Sequence, residues 1–199
     1  MKIQLVGFVI VASMLFILTH NLATRGEDKG LVFRLVHPEN DRLPSCNSPS
    51  SEVDLAGHEC FTGFKKRFSA ERGEELVEEA IWVHRKIEMN EKSIKFASVS
   101  VFKRKHEDRV VPIPGIMAAE EEVILNLSFT EEGSKQLEAL TSQNINRRLA
   151  IVLDGKLISA PLIRSPIPEG RVRISGVFTV EEAEAMAKRI RELVDNIKK

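Results

Sequence analysis

The stretch RLAIVLDGKLISAPLI, residues 148–163, constrains the fold of this chain more than any other part of the sequence. It places the dipeptide Asp154-Gly155 between two apolar runs. A two-residue hairpin turn needs a positive φ at both positions, which Asp and Gly tolerate better than most residues. The stretch therefore predicts two antiparallel strands joined by a tight turn at Asp154 and Gly155.

The same stretch contains Ser159, Asp154 and Lys156, which are residue types found at hydrolytic sites. A serine nucleophile needs a base within about 3 Å, and the histidines all lie before this stretch, at His20, His37, His58, His84 and His106. Ser159 and Lys156 are three residues apart, and such residues point to opposite faces of an extended strand. The sequence also has no glycine-rich phosphate-binding loop. We therefore expect no catalytic residues, no cofactor and no small-molecule substrate.

The elements around this hairpin predict an α+β fold. A half-buried strand is indicated by apolar residues at alternate positions, which are Val123, Leu125, Leu127 and Phe129, between Glu122, Ile124, Asn126 and Ser128. A helix follows with Thr130 as its N-cap, and the last helix begins with a capping box formed by Thr179 and Glu182. The order of strand, helix, three strands and helix is typical of helices that cover one face of a mixed β-sheet.

The first half of the chain gives weaker signals. Residues 31–36 indicate a short strand. From Asn40 to about Gly63 the chain is rich in Ser, Pro, Asn and Asp, so we predict a long loop there. We then predict a short charged helix capped by Ser69 and a single helical turn capped by Asn90.

The N-terminus, MKIQLVGFVIVASMLFIL, is almost continuously apolar. About 20 apolar residues are needed to cross a bilayer, and an extension to Leu22 reaches that length. We predict a hydrophobic helix at residues 1–22 that acts as an uncleaved signal anchor or as a cleaved signal peptide. A buried core helix is the third alternative.

The segment 23–30 is polar and predicts a linker. It leads into one domain, residues 31–199, with a loop insertion at about residues 40–75. With an uncleaved anchor this domain lies on the periplasmic side of the cell membrane, held by a single transmembrane helix. With a cleaved signal peptide it is secreted.

The chain has two cysteines, Cys46 and Cys60. In an exported protein the simplest prediction is a disulfide that closes a loop of about 15 residues. Free thiols and a metal site with His58 are the alternatives. A metal site is disfavoured because two Cys and one His are fewer than the usual four ligands, so we expect no metal.

Composition excludes some partners. Lys and Arg total 29, and Asp and Glu also total 29, so the formal net charge is zero. A nucleic-acid-binding domain is expected to have a basic surplus, so we expect no nucleic acid. The chain has no Tyr and a single Trp, which disfavours a binding site built from aromatic platforms.

The C-terminal segment resembles a known family. The stretches LNLSFTEEGSKQLEALTSQNINRRLAIVLDGKLISAPLI and ISGVFTVEEAEAMAKRI are similar to the head subdomain of the first periplasmic domain of SecD. SecD is a membrane component of the Sec protein-export machinery. The residues that carry the resemblance include Asp154-Gly155 in the turn and Ser175-Gly176 before the last helix. The resemblance implies an exported domain that contacts polypeptide or an envelope protein, with Sec export components among its partners.

This sequence departs from SecD in one respect. SecD proteins carry a transmembrane bundle after the head-containing domain, and this sequence ends about 20 residues after Thr179. The resemblance therefore implies a head-like domain tethered by its N-terminal helix rather than a complete translocation motor.

Two functions remain as hypotheses. In the first, a sheet edge captures extended polypeptide by strand addition. The candidate binding residues are Leu157, Ile158, Ser159, Ala160, Pro161, Leu162 and Ile163. A cluster of three prolines, Pro161, Pro166 and Pro168, would leave that edge irregular and incompletely paired. In the second, the chain is a structural or assembly protein of the cell envelope with no role in export.

Overall fold

The computed structural model describes residues 29–46, 55–69, 73–103, 121–176 and 178–199. In chain order its elements are β1 (Leu31–Leu35), a 3-10 turn (Asn40–Arg42), β2 (His58–Ser69), β3 (Gly73–His84), β4 (Met89–Asn90), a 3-10 turn (Glu91–Ser93), β5 (Ile94–Lys103), β6 (Glu121–Phe129), α1 (Glu131–Gln143), β7 (Leu149–Leu153), β8 (Lys156–Ser159), β9 (Arg171–Ser175) and α2 (Val180–Ile197).

The predicted N-terminal hydrophobic helix at residues 1–22 lies outside the described residues. The predicted linker at residues 23–30 does too, apart from Lys29 and Gly30. Neither helix in the part of the chain that the structure describes is long and apolar enough to cross a membrane.

The strands form three antiparallel sheets in the described residues. The central sheet has the order β4-β1-β7-β8, a second sheet has the order β5-β6-β9, and β2 pairs with β3 in a long hairpin. The predicted α+β class is confirmed. The strands are divided among three sheets with antiparallel pairing throughout, where the sequence predicted a single mixed sheet.

The main core lies between the central sheet, the β5-β6-β9 sheet and the two helices. Phe33 of β1 and Phe129 of β6 meet there with ring centroids 5.7 Å apart. Helix α2 buries one face against β5 and β6, with the residues Ala183, Ala187, Ile190 and Val194. Both predicted helix starts are confirmed, since the Thr130 hydroxyl accepts from the Gly133 amide and Thr179 forms the capping box with Glu182.

A second core lies on the other face of the central sheet, beneath the β2–β3 hairpin. Its buried residues are Val32, Val36, Phe61, Ile81, Val83, Ala150 and Val152. Strands β1 and β7 are therefore buried on both faces, which explains why their sequences are nearly continuous apolar runs. The hairpin also helps to hold the edge strand β8 in place, because it covers the face of β7 and β8 that would otherwise be open to solvent.

The predicted charged helix capped by Ser69 is wrong. Ser69 ends β2, and the residues from Gly73 to His84 form β3. Alternate residues of β3 face the central sheet, and one of them is Glu79, whose carboxylate lies 2.7 Å from the Arg148 guanidinium. A charged residue at an inward position interrupted the apolar alternation that identifies a strand.

The predicted loop from Asn40 to about Gly63 also ends earlier than expected, because β2 begins at His58. The residue after His58 is Glu59, which faces the central sheet. It is charged and forms an ion pair with Arg34 of β1. The predicted helical turn capped by Asn90 is confirmed, and the Asn90 side chain accepts from the Lys92 amide.

Candidate functional site

The candidate residues 157–163 lie along one edge of the central sheet. Strand β8 pairs with β7 and with no other strand in the described residues. The turn is flanked by Leu153 and Lys156, and the next pair is Val152 and Leu157. The pair that closes a two-residue turn is hydrogen-bonded, so the next pair is not. The N–H and C=O groups of Leu157 therefore face away from β7.

Beyond Ser159 the chain stays beside the residues that precede β7. The Leu149 amide donates to the Pro161 carbonyl at 2.9 Å, and the Ile163 amide donates to the Arg147 carbonyl at 2.8 Å. These two bonds bracket the bridge between Arg148 and Leu162. Because Pro161 and Ile163 face Arg147–Leu149, the N–H and C=O groups of Leu162 face outward.

The apolar side chains of this segment are divided between the two cores and the surface. Leu157 and Ala160 pack against the core beneath the hairpin, and Ile158 and Ile163 belong to the main core. Leu162 is 44% exposed, and Pro161 is exposed as well. The edge thus offers outward main-chain groups together with one large exposed apolar side chain.

Arg148 fixes the position of this edge. Its Nε donates to the Ala160 carbonyl at 2.8 Å, and its other end forms the ion pair with Glu79 of the hairpin. One side chain therefore ties the segment after β8 to both β7 and β3. The sequence offered no signal for this role, because Arg148 and Glu79 are separated by 69 residues.

The alternation argument against a Ser159–Lys156 pair does not hold. The register shifts between the Ile151 and Val152 positions of β7, which indicates a bulge in β8. As a result Leu157 and Ala160, three residues apart, pack on the same core. Within the described residues, however, no hydrogen bond joins Ser159 to Lys156, and the Lys156 side chain is exposed.

The predicted tight turn is present, with φ of 47° at Asp154 and 75° at Gly155. Asp154 also makes contacts that the turn does not require. Its Oδ1 accepts from the Gly30 amide at 3.0 Å, and its two oxygens accept from Arg189 of α2 at 2.7 and 3.1 Å. The hydrogen bonds from Arg189, together with the Gly30 amide and the charge of Arg189, hold the Asp154 pKa below its ordinary value.

Asp154→Ala is expected to lower the free energy of unfolding by about 1–2 kcal/mol, because alanine is strained at positive φ and cannot bind Arg189. Asp154→Asn tolerates the turn but loses the ion pair, so its cost should stay below about 1 kcal/mol. Urea unfolding at neutral pH measures both.

The ion-pair part of this stability should be present above the ordinary Asp pKa of about 4 and lost as the pH falls through the lowered native value. Equal costs for Asp154→Ala and Asp154→Asn would show that the turn conformation contributes nothing.

Ser175 and Gly176 carry part of the family resemblance. Strand pairing and packing explain their positions in the structure. Ser175 is the exposed last residue of β9 and is paired with Ile124. A Cβ atom at Gly176 would overlap the ring of Phe178, which packs against the main core. Glycine is needed here for close approach of the backbone to this ring.

The predicted disulfide is confirmed. Cys46 and Cys60 are bonded, with their Cα atoms 5.4 Å apart. The bond fastens the segment after the Asn40–Arg42 turn to strand β2. In the part of the chain that the structure describes, no cluster of three metal-ligating side chains is placed to hold an ion.

Comparison with known proteins shows similarity in one part of the C-terminal region. Residues 113–192 match the model of the SecDF P1 head subdomain. The match confirms the resemblance to SecD and includes the turn at Asp154, the whole edge segment 157–163 and most of α2.

Curated relatives match the same region. SecDF of Thermus thermophilus is 51% identical over 63 residues, which are 32% of this chain and 9% of that protein. SecD of Calditerrivibrio nitroreducens is 47% identical over 66 residues, which are 33% of this chain and 13% of that protein. Both are protein translocase subunits, and the chain spans only about a tenth of their length.

Solved structures of SecDF are also similar. One, of a membrane component SecDF that enhances protein export, is 22% identical, with 95% of this chain and 71% of that chain aligned at a TM-score of 0.48. Another, of SecDF in a super-membrane-facing form, is 25% identical, with 83% of this chain and 19% of that chain aligned at the same TM-score. Because these scores are below 0.5, the similarity to SecDF rests on the sequence matches.

The SecDF P1 head match begins at residue 113, but the two sheets that contain the matched strands also include strands from earlier in the chain. Strands β1 and β4 belong to the central sheet, and β5 belongs to the sheet of β6 and β9. The matched segment therefore completes its two sheets with strands from residues 31–103, which lie before the match.

Proposed function

We propose that this chain is a non-enzymatic domain that binds extended polypeptide during protein export, in partnership with Sec export components. The observation that carries the proposal is that the edge segment 157–163 lies inside the SecDF P1 head match and presents outward main-chain groups. Relatives that match the head region of this chain are protein translocase subunits. We further propose that residues 1–22 tether the domain to the membrane, with the head on the periplasmic side.

Strand addition is the mode of binding that suits this edge. An extended peptide adds to an open sheet edge through main-chain hydrogen bonds, which do not depend on the peptide's sequence. Leu157 and Leu162 supply outward N–H and C=O groups, and the exposed Leu162 side chain supplies an apolar contact. A domain that handles many unfolded substrates needs this low sequence selectivity.

The irregular shape of the edge supports capture by a client over pairing between copies of the domain. The bulge in β8 and the exposed Pro161 interrupt the regular ladder. Proteins use bulges and prolines at edges to prevent pairing between folded copies. A flexible client can adapt to such an edge, whereas a second rigid edge cannot.

Leu162→Lys is expected to weaken binding of an unfolded secretory precursor by about fivefold or more, because it adds a charge and removes the exposed apolar side chain. Binding is measured by fluorescence anisotropy of the labelled precursor with the full chain in mild detergent. Ile197→Lys in α2 is the matched control, because Ile197 is also 44% exposed and lies outside the candidate edge. It should bind as the unmodified chain does.

Equal weakening by both variants would reject the edge as the binding site, and no binding at high micromolar concentration would reject polypeptide capture. Photo-crosslinking from position 162 in intact membranes provides a second readout. Crosslinks to many nascent exported chains agree with the proposal, whereas crosslinks to one discrete folded protein contradict it.

A further inference from the structure

Three histidines meet where the β2–β3 hairpin joins the central sheet. His37 follows β1, His58 begins β2 and His84 ends β3. The ring centroids of His58 and His84 are 4.3 Å apart, those of His37 and His58 are 4.8 Å apart, and those of His37 and His84 are 6.4 Å apart. The His37 amide also donates to the Trp82 carbonyl at 2.7 Å. The three imidazoles thus form part of the junction between the two sheets.

A permanent cation faces this cluster. Nη2 of the Arg147 guanidinium lies 3.2 Å from Nε2 of His84. The same atom donates to the Val36 carbonyl at 3.3 Å. Because arginine only donates, Nε2 of His84 must accept and therefore carries no proton in this arrangement. His37 is held similarly, since its Nδ1 accepts from the Glu39 amide at 3.1 Å. The observed hydrogen bonds require both imidazoles in their neutral forms.

Three other charged side chains near the cluster are among the described residues. Arg85 donates from Nε to the His58 carbonyl at 3.2 Å, which adds a second cation. Glu88 opposes this charge, but its carboxylate is already paired with Lys86 at 2.9 Å. Burial is the largest effect on His84 and lowers its pKa, followed by the charges of His58, Arg147 and His37, while Glu88 acts in the opposite direction.

We propose that His37, His58 and His84, together with Arg147, form an acid-sensitive junction that holds the hairpin on the central sheet when the imidazoles are neutral and loosens it when they are protonated. Protonation of His84 would break the bond from Arg147 and place like charges within about 5 Å. This inference concerns the fold and is independent of the proposed polypeptide binding.

The sign of the pH dependence follows from the hydrogen bonds. A histidine whose native pKa is lowered binds fewer protons in the folded state than in the unfolded state. Its contribution to stability is therefore complete above the ordinary pKa of about 6.5 and is lost as the pH falls through the lowered native value. The ion pairs Arg34–Glu59 and Arg148–Glu79 also hold the hairpin.

Hydrogen exchange of the full chain in mild detergent tests the proposal. After correction for intrinsic exchange rates, the protection of amides 58–63 and 77–84 should fall about tenfold between about pH 7.5 and about pH 5.5. The amides of α2, far along the chain in the main core, should change by less than about twofold.

His84→Gln is the informative variant, because glutamine accepts the bond from Arg147 but does not titrate. It should reduce the loss of hairpin protection to about threefold or less over the same pH range. His106→Gln, at a histidine outside the described residues, is the matched control and should keep the full loss. An unchanged loss in His84→Gln would overturn the assignment.

A second measurement keeps the test decisive if His84→Gln does not fold. Proton NMR of the imidazoles in the unmodified chain should show His84 titrating below its ordinary value of about 6.5. A titration of His84 at or above the ordinary value, or hairpin protection that does not change with pH, would overturn the proposal.

Discussion

Arg34→Met is expected to lower the free energy of unfolding by about 3 kcal/mol, because it leaves a buried carboxylate without its cation. Arg34 lies on β1 beneath the hairpin, and its Nη1 is 3.0 Å from Oε2 of Glu59. The two side chains are only 5% and 15% exposed. Methionine fills similar volume, so the loss reports the missing charge rather than a cavity. Urea unfolding at neutral pH, followed by circular dichroism, measures it.

The double variant Arg34→Met with Glu59→Leu should recover most of this loss, because an apolar pair of similar size can replace a buried ion pair. Lys135→Met is the control for an exposed pair. Its partner is Glu131 at 3.1 Å, and these side chains are 66% and 88% exposed. It should change stability by less than about 0.5 kcal/mol. A loss for Arg34→Met no larger than that of Lys135→Met would contradict the buried pair's importance.

Cys46→Ser is expected to lower the free energy of unfolding by about 3 kcal/mol, because the unfolded chain is no longer constrained by a loop of about 15 residues. Trp82 reports on the local consequence. It is paired with Cys60 across the hairpin, and its Nε1 donates to the Pro44 carbonyl at 2.9 Å. Release of the tethered segment should shift the fluorescence of this single tryptophan towards that of a solvated indole.

Cys60→Ser and the double variant should cost the same as Cys46→Ser within about 0.5 kcal/mol, because breaking the bond once removes its whole effect. Treatment of the unmodified chain with a reductant should reproduce both the loss and the fluorescence shift. A reduced chain that unfolds at the same urea concentration as the oxidised chain would contradict the prediction.

Features with local signals could be predicted from the sequence. The turn at Asp154-Gly155, the N-cap at Thr130 and the capping box at Thr179 each depend on residues a few positions apart. The strand at 121–129 buries Leu125, Leu127 and Phe129 on one face, so its alternation is visible. The disulfide between Cys46 and Cys60 followed from the count of cysteines and from the predicted export.

The hairpin could not be predicted, because two of its inward residues are glutamates. Glu59 and Glu79 are neutralised by Arg34 and Arg148, which lie 25 and 69 residues away in the chain. A sequence window of ordinary length contains the carboxylate but gives no sign of its partner. The sequence therefore predicts a charged helix capped by Ser69 where the structure has a strand.

The candidate edge could be predicted in position but not in detail. The prolines near Leu162 indicate an irregular edge, whereas the outward direction of the Leu162 main chain follows from the hydrogen bonds that Pro161 and Ile163 make with Leu149 and Arg147. The histidine cluster gave no signal at all. His37, His58 and His84 are brought together by three different strands, and each of them is isolated in the sequence.

The pairing of β1 with β7 bears on how this domain can be divided. Strand β1 lies between β4 and β7, and the Leu31–Leu153 pair joins residues more than a hundred positions apart. A fragment cut at the start of the family match would leave β7 with a bare apolar edge and would open both of its faces to water. Such a fragment is expected to aggregate. The smallest unit that can be transplanted or expressed alone is therefore larger than the unit that sequence similarity recognises.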